Sequence, residues 1–106
     1  MFFEFRFYQM RSGKRDAWVT FMDDEIIPFQ QSKGMVIVGN FVGEQDEHLY
    51  VWIRRFESEE ERVAQYKAVY ETDHWKNTVS PQVAELIDRE KIEVVRLAPT
   101  SRSILR

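Results

Sequence analysis

The sequence predicts one α+β domain, a four-stranded antiparallel sheet with helices covering one of its faces, and three observations predict it. Residues 2–10 and 48–56 alternate in period two, Met35–Val42 and Lys91–Leu97 read as two further short strands, and the stretches between them repeat at three and four residues. The order of these periods along the chain is strand, helix, strand, strand, helix, strand, the split β-α-β arrangement of ferredoxin-like folds. A chain of 106 residues with 43% hydrophobic, 31% charged and 14% aromatic residues has the size and composition of one globular unit, and no repeat or linker divides it, so the domain is residues 1–106.

The first strand spans residues 2 to 10, with Phe3, Phe5 and Phe7 on one face and Glu4, Arg6, Tyr8 and Met10 on the other. Ser12-Gly13 breaks it. From Lys14 to about Lys33, Trp18, Phe21, Met22, Ile26 and Phe29 form one apolar stripe of an amphipathic helix. Pro28 lacks the amide proton a helix interior needs, so a kink or early end is expected there, and Gly34 closes the segment. Met35 to Val42 is the second strand, with Gly39 a candidate bulge. Gly43 to Glu47 is a polar turn, and His48 to Phe56 returns as the third strand of a hairpin.

Ser58-Glu59-Glu60-Glu61 is a capping box, a serine followed at the third position by glutamate, and its acids suit the positive end of a helix dipole. The helix continues through Val63, Tyr66, Val69 and Tyr70 until Thr72-Asp73 interrupts it. An extra C-terminal helical segment carries Trp75, Val79, Val83, Leu86 and Ile87, with Ser80-Pro81 as a start or kink. Lys91 to Leu97 is the last strand, and Pro99 ends it.

Two helices cover one face of a four-stranded sheet and leave the other open. The all-apolar sets Phe3-Phe5-Phe7 and Leu49-Val51-Ile53 are expected under the helices. The open face would then carry Arg6, Tyr8, His48, Tyr50, Trp52 and Arg54, with Ile92, Val94 and Arg96 if the last strand is in register. So large an aromatic patch calls for a cover. The expected cover is a second copy of the sheet, closing a dimeric α/β barrel with these side chains in its lumen.

Other classes are disfavoured by composition. The net charge of −3 and pI of about 5.4 give no footprint for nucleic acid, and no apolar run approaches a membrane span. Cysteine is absent, which removes thiol nucleophiles and cysteine-ligated metals. The two histidines show no metal-ligand spacing, and the four glycines make no phosphate loop. No metal site and no cofactor is expected. Met1-Phe2-Phe3-Glu4 is unlike a signal peptide, and the expected location is the cytoplasm.

Several short motifs then resemble one family in order and spacing. Glu4-Phe5-Arg6-Phe7-Tyr8 resembles the Glu-Leu-Arg-Thr-Tyr opening of the NIPSNAP family. Ser12-Gly13-Lys14 stands where that family has Pro-Gly-Lys. Phe56-Glu57-Ser58, with Glu61-Arg62, resembles its Tyr-Asp-Ser and downstream Glu-Arg. Asp73-His74-Trp75 resembles its Asp-x-x-Trp or Asp-x-Trp element, and Leu97-Ala98-Pro99-Thr100 with Ser103 resembles its ending. The chain departs from the pattern at Arg54, where many members have Trp, and at Trp52, where His is common. The resemblance implies a ferredoxin-like fold and a dimeric α/β barrel. Its superfamily includes cofactor-independent monooxygenases, haem-degrading enzymes, a lactone isomerase and stress-response proteins. The haem-degrading branch fits less well, because it uses an Asn on the first strand where this chain has Arg and Tyr.

Two functions stay open on these residues. In the first, the barrel binds or transforms a small aromatic or enolisable anionic compound, by monooxygenation without metal or flavin or by isomerisation. Arg6 would hold the anion with its rigid donor fork, Tyr8 would hydrogen-bond it, and His74 would accept a proton. Tyr50, Trp52 and Arg54 would form an aromatic wall with a cationic end that binds the substrate. In the second, the chain is a non-catalytic binding or assembly module, and the same residues are interface anchors of a homodimer or higher homo-oligomer. Charge on an otherwise aromatic face leans towards a ligand.

Overall fold

A computed structural model describes residues 1–106. Strands β1 (Phe2–Gln9), β2 (Val36–Val42), β3 (Leu49–Phe56) and β4 (Glu93–Leu97) form one antiparallel sheet in the order β2-β3-β1-β4. That is the strand order of the ferredoxin-like arrangement. β1 and β3 are central, with Glu4 opposite Arg54, Arg6 opposite Trp52 and Tyr8 opposite Tyr50. β4 sets Arg96 beside Glu4 and Val94 beside Arg6. In the β2–β3 hairpin the register slips between Ile37 and Gly39, which makes Val38 the extra residue of a bulge.

The first helical run is continuous: α1 (Arg15–Phe21), a π-helical turn (Met22–Ile26) and α2 (Ile27–Ser32). Pro28 does not end it. The carbonyl an α-helical residue 28 would use is that of Asp24, inside the wide turn, and the widening accommodates a ring with no N–H to donate. The same solution recurs after α3 (Glu59–Tyr70). There a second π-helical turn (His74–Val79) precedes α4 (Ser80–Leu86), and Asn77 stands to Pro81 as Asp24 does to Pro28. Gly34, with φ of 94°, ends the first run in the left-handed region that favours glycine.

α3 begins as the sequence predicts. Ser58 Oγ accepts from the Glu61 amide at 3.1 Å, and the Glu61 carboxylate reaches back to the Glu57 amide at 3.0 Å. We expect Ser58→Ala to destabilise the domain by about 1 kcal/mol, read as a lower urea midpoint at unchanged m-value. Between α3 and the second π turn, the Thr72 hydroxyl donates to the Val69 carbonyl and accepts from the Trp75 amide, which shapes the interruption. No helix is long and apolar enough to cross a membrane.

The face the helices cover is the reverse of the one expected. The main core joins Tyr8, Tyr50 and Trp52 of the sheet to Trp18, Met22 and Ile26 of the first helical run and Val79, Val83 and Ile87 of the second. Glu4 and Arg54 lie under the helices too, 3% and 0% exposed. The opposite face carries Phe3, Phe5, Phe7, Val51, Ile53, Phe41, Val36 and Leu97, and the last three are 56%, 44% and 44% exposed. The reason lies in payload and pairing. Trp and Tyr bury more apolar area than Val or Leu. Glu4 and Arg54 neutralise each other across the β1–β3 register, and Arg6 lies 3.6 Å from the same carboxylate, so charge opposes burial there less than the sequence pattern suggests. The C-terminal tail folds across one corner of the open face, where Leu97, Pro99, Ser103 and Leu105 form a groove with Phe3 and Phe5.

Candidate functional site

Between sheet and helices the packing leaves a cavity of about 320 Å³. β1 supplies Arg6 and Tyr8, β3 supplies Trp52, and the first helical run supplies Trp18, Met22 and Ile26. α3 contributes Tyr66 and Tyr70, and the last helical region contributes Trp75, Ser80, Val83 and Arg89. All three tryptophans of the chain line it. The two π turns both border it, through Met22, Ile26 and Trp75.

Arg54 lies beneath this cavity and has nothing left to offer it. Its Nε and Nη2 donate to Glu4 Oε1 at 3.3 and 2.8 Å. Nη2 also donates to the Tyr66 hydroxyl at 2.8 Å, and Nη1 to the Tyr70 hydroxyl at 2.7 Å and to Gln30 Oε1 at 3.0 Å. Every guanidinium N–H therefore has an acceptor. Its carbon sits 4.9 Å from the Trp52 ring centre and 5.0 Å from that of Tyr66. Burial works against its charge, but the Tyr70 and Tyr66 oxygens and the Glu4 carboxylate more than offset it, and the guanidinium stays ionised.

Glu4 completes the network. Tyr66 donates to its Oε2 at 2.6 Å. Burial alone would raise the Glu4 carboxyl. The Arg54 charge, the hydrogen bonds from Tyr66 and Arg54 and the Arg6 charge outweigh it and hold the group below the usual carboxylate range. The Tyr66 hydroxyl is pushed up to about 12, chiefly by burial, and stays a donor.

Arg6 is the cation that faces the cavity from the sheet. Its Nε donates to the Tyr8 hydroxyl at 2.9 Å, and its Nη1 donates to the Tyr66 hydroxyl at 3.3 Å and lies 3.6 Å from Glu4 Oε1. Its Nη2 has no partner in the protein. The side chain is 14% exposed, and its carbon lies 5.8 Å from the Trp52 ring centre. Because the Tyr8 oxygen already accepts from Arg6, its proton is free to point elsewhere. Arg6 and Tyr8 together can hold a carboxylate or polarise a carbonyl or enolate oxygen. The indole N–H groups of Trp18 and Trp52, both buried, also lack acceptors.

Of the residues singled out in the sequence, Arg6, Tyr8 and Trp52 meet at the cavity. The cavity lies under the helices, so these residues are not on the open face of the sheet where the sequence pattern predicts them. Arg54 is buried behind it, and Tyr50, 2% exposed with an unpartnered hydroxyl, is in the core away from the lining. His74 is exposed and packs edge-on against Phe29 with ring centres 4.8 Å apart, outside the lining. The helix geometry places Trp75, its neighbour, inward instead. Sequence reasoning missed Tyr66, Tyr70, Trp75 and Arg89 as lining residues. Tyr66 and Tyr70 fall at i and i+4 on α3, a spacing that could have signalled one shared face. No group of three or more metal-ligating side chains comes together.

Comparison with known proteins gives the fold its relatives. The family model described as NIPSNAP matches residues 3–102. A NIPSNAP family protein of unknown function from Agrobacterium tumefaciens strain C58 superposes with a TM-score of 0.89 at 27% identity, covering 100% of this chain and 94% of that one. A second NIPSNAP family protein from the same organism gives 0.87 at 25% identity, covering 99% and 98%. A Nitrosomonas europaea protein provisionally described as an antibiotic biosynthesis monooxygenase gives 0.69 at 15% identity, covering 93% and 98%, a likeness of fold alone. No curated protein shows a significant match.

Proposed function

The chain belongs to the NIPSNAP family, and we propose that it binds a small aromatic molecule bearing an anionic oxygen in the cavity between sheet and helices. The observation that carries this reading is the unpartnered Nη2 of Arg6, held at the wall of a cavity lined by every tryptophan of the chain. A neutral apolar ligand would leave that donor unused, and a hydrated ion would leave the aromatic walls unused. Arg6 supplies the charge and the free Nη2 donor, Tyr8 a second hydrogen bond, and Trp52 and Trp75 the flat surfaces. If a bound compound reacts, Arg6 and Tyr8 stabilise the oxyanion of an enolate, the intermediate that isomerisation and cofactor-independent oxygenation share. The cytoplasm is the proposed location.

Calorimetry with 2-naphthoate tests the reading. The carboxylate should bind one per chain, and the neutral 2-naphthamide at least tenfold more weakly. Arg6→Met should lose about tenfold or more of the carboxylate affinity and little of the amide's. Equal binding of acid and amide would remove Arg6 from the site.

We propose further that a second copy of the chain covers the open face of the sheet. The support is the exposure of Phe41, Val36 and Leu97 on one face of the sheet, beside Phe5, Phe7 and Val51. Gly39 adds to it: a Cβ there would meet the Phe41 ring at 2.7 Å, so glycine lets that ring lie flat across the strand. In this arrangement the shared interior of the dimer is aliphatic and phenylalanine-rich, and each chain keeps its own cavity on the far side.

A further inference from the structure

We propose that the cavity takes an aromatic molecule with an anionic group at each end, the inner one on Arg6 and the outer one on Arg89. This rests on the reading of the cavity as a binding site and extends it to the ligand's second end. Arg89 opens the 3-10 turn Arg89–Lys91 and lines the cavity from its exposed side, whereas Arg6 is nearly enclosed.

Arg89 is fixed in place at both its backbone and its head. The Asp88 amide donates to the Gln9 carbonyl of β1 at 2.9 Å, and Ile87 pairs with Met10. Asp88 also caps the turn through Oδ1, which accepts from the Glu90 amide at 3.1 Å. The guanidinium Nη2 donates to both the carbonyl and the hydroxyl of Ser80, each at 2.7 Å, and Ser80 itself lines the cavity. These two hydrogen bonds hold the head against the cavity wall, while Nε and Nη1 have no acceptor in the protein. Arg89, like Arg11 and Arg15, has no carboxylate partner, but of these three it alone lines the cavity. Its charge is therefore uncompensated and oriented, the condition for a charge-assisted contact to a ligand anion. The rest of the wall is largely aromatic and aliphatic, with Trp52, Trp75, Val83 and Ile87, which suits a ligand whose body is flat and apolar.

The test compares 2-naphthoate with naphthalene-2,6-dicarboxylate by calorimetry on the whole chain at low salt. The dicarboxylate should bind about threefold to tenfold more tightly, and the advantage should shrink as salt is added, because Arg89 is exposed. Arg89→Gln should abolish the advantage, bringing the dicarboxylate Kd to that of 2-naphthoate, and Ser80→Ala should reduce it. Equal affinity of the two acids for the wild-type chain would overturn the outer anchor while leaving the inner one standing. So would an Arg89→Gln variant that weakens both acids alike, since Arg89 would then only shape the mouth. Failure of both acids to bind would overturn the cavity reading itself, and the second anchor with it.

Discussion

Glu4→Gln lowers the stability of the domain by about 3–5 kcal/mol, because it leaves the Arg54 charge buried without its counter-ion. For a domain of this size that is a fall in Tm of roughly 10–20 °C. Arg54→Met, which strands the carboxylate instead, has an effect of similar size. The double variant Glu4→Met/Arg54→Met recovers most of the loss, since neither charge is then buried alone. Thermal unfolding of the four proteins measures this cycle, and additive losses would mean that the pair is not coupled. The same contact sets an acid limit. The folded Glu4 carboxyl lies below the ordinary value of 4.5, so its contribution is full above that pH and is lost as pH falls through the lower folded value. Glu4→Gln should flatten that part of the stability profile. Arg6 shares Tyr66 and Glu4 with Arg54, so loosening the network also loosens the cation that faces the cavity.

The second large effect concerns assembly. Native mass spectrometry at micromolar concentration should give a dimer. Phe41→Glu combined with Leu97→Glu should convert it to monomer, because each places a carboxylate on the apolar surface that the interface would bury. 2-Naphthoate binding should survive in that variant, since neither residue lines the cavity. A dimer that persists would move the interface elsewhere. A monomer that no longer binds would mean that the partner chain shapes the site.

Much of this architecture is legible in the sequence, and the reasons are local. The alternation of Phe3, Phe5 and Phe7, the Ser58 cap and the turn at Gly34 each depend on neighbouring residues. The fate of Pro28 was half legible. The missing N–H is visible in the sequence, but whether the chain ends, bends or widens depends on what packs against Met22 and Ile26, both buried. Which face of the sheet the helices choose was not legible, because the polarity pattern favours the all-apolar face while the helices cover the one that mixes Tyr8, Tyr50 and Trp52 with Glu4, Arg6 and Arg54. The deciding pair, Glu4 and Arg54, sits 50 residues apart and becomes visible only once the β1–β3 register sets them opposite each other. Arg6, Tyr8 and Trp52 could be grouped because they share that register. Arg89 and Tyr66 could not, since they reach the cavity from separate elements through tertiary packing alone. His74 shows the limit of residue type as a guide: its chemistry suits a proton acceptor, and one helical step places it outside while Trp75 turns inward.

The most direct test of the central claim is an NMR titration of the three tryptophan indole N–H resonances with 2-naphthoate. Trp18, Trp52 and Trp75 all line the cavity, and the indoles of Trp18 and Trp52 have no internal acceptor. All three signals should shift together with one Kd, and Arg6→Met should shift that midpoint to higher ligand concentration. Unmoved indole signals, with changes at Phe5, Phe41 or Val51 on the open face instead, would contradict a site beneath the helices.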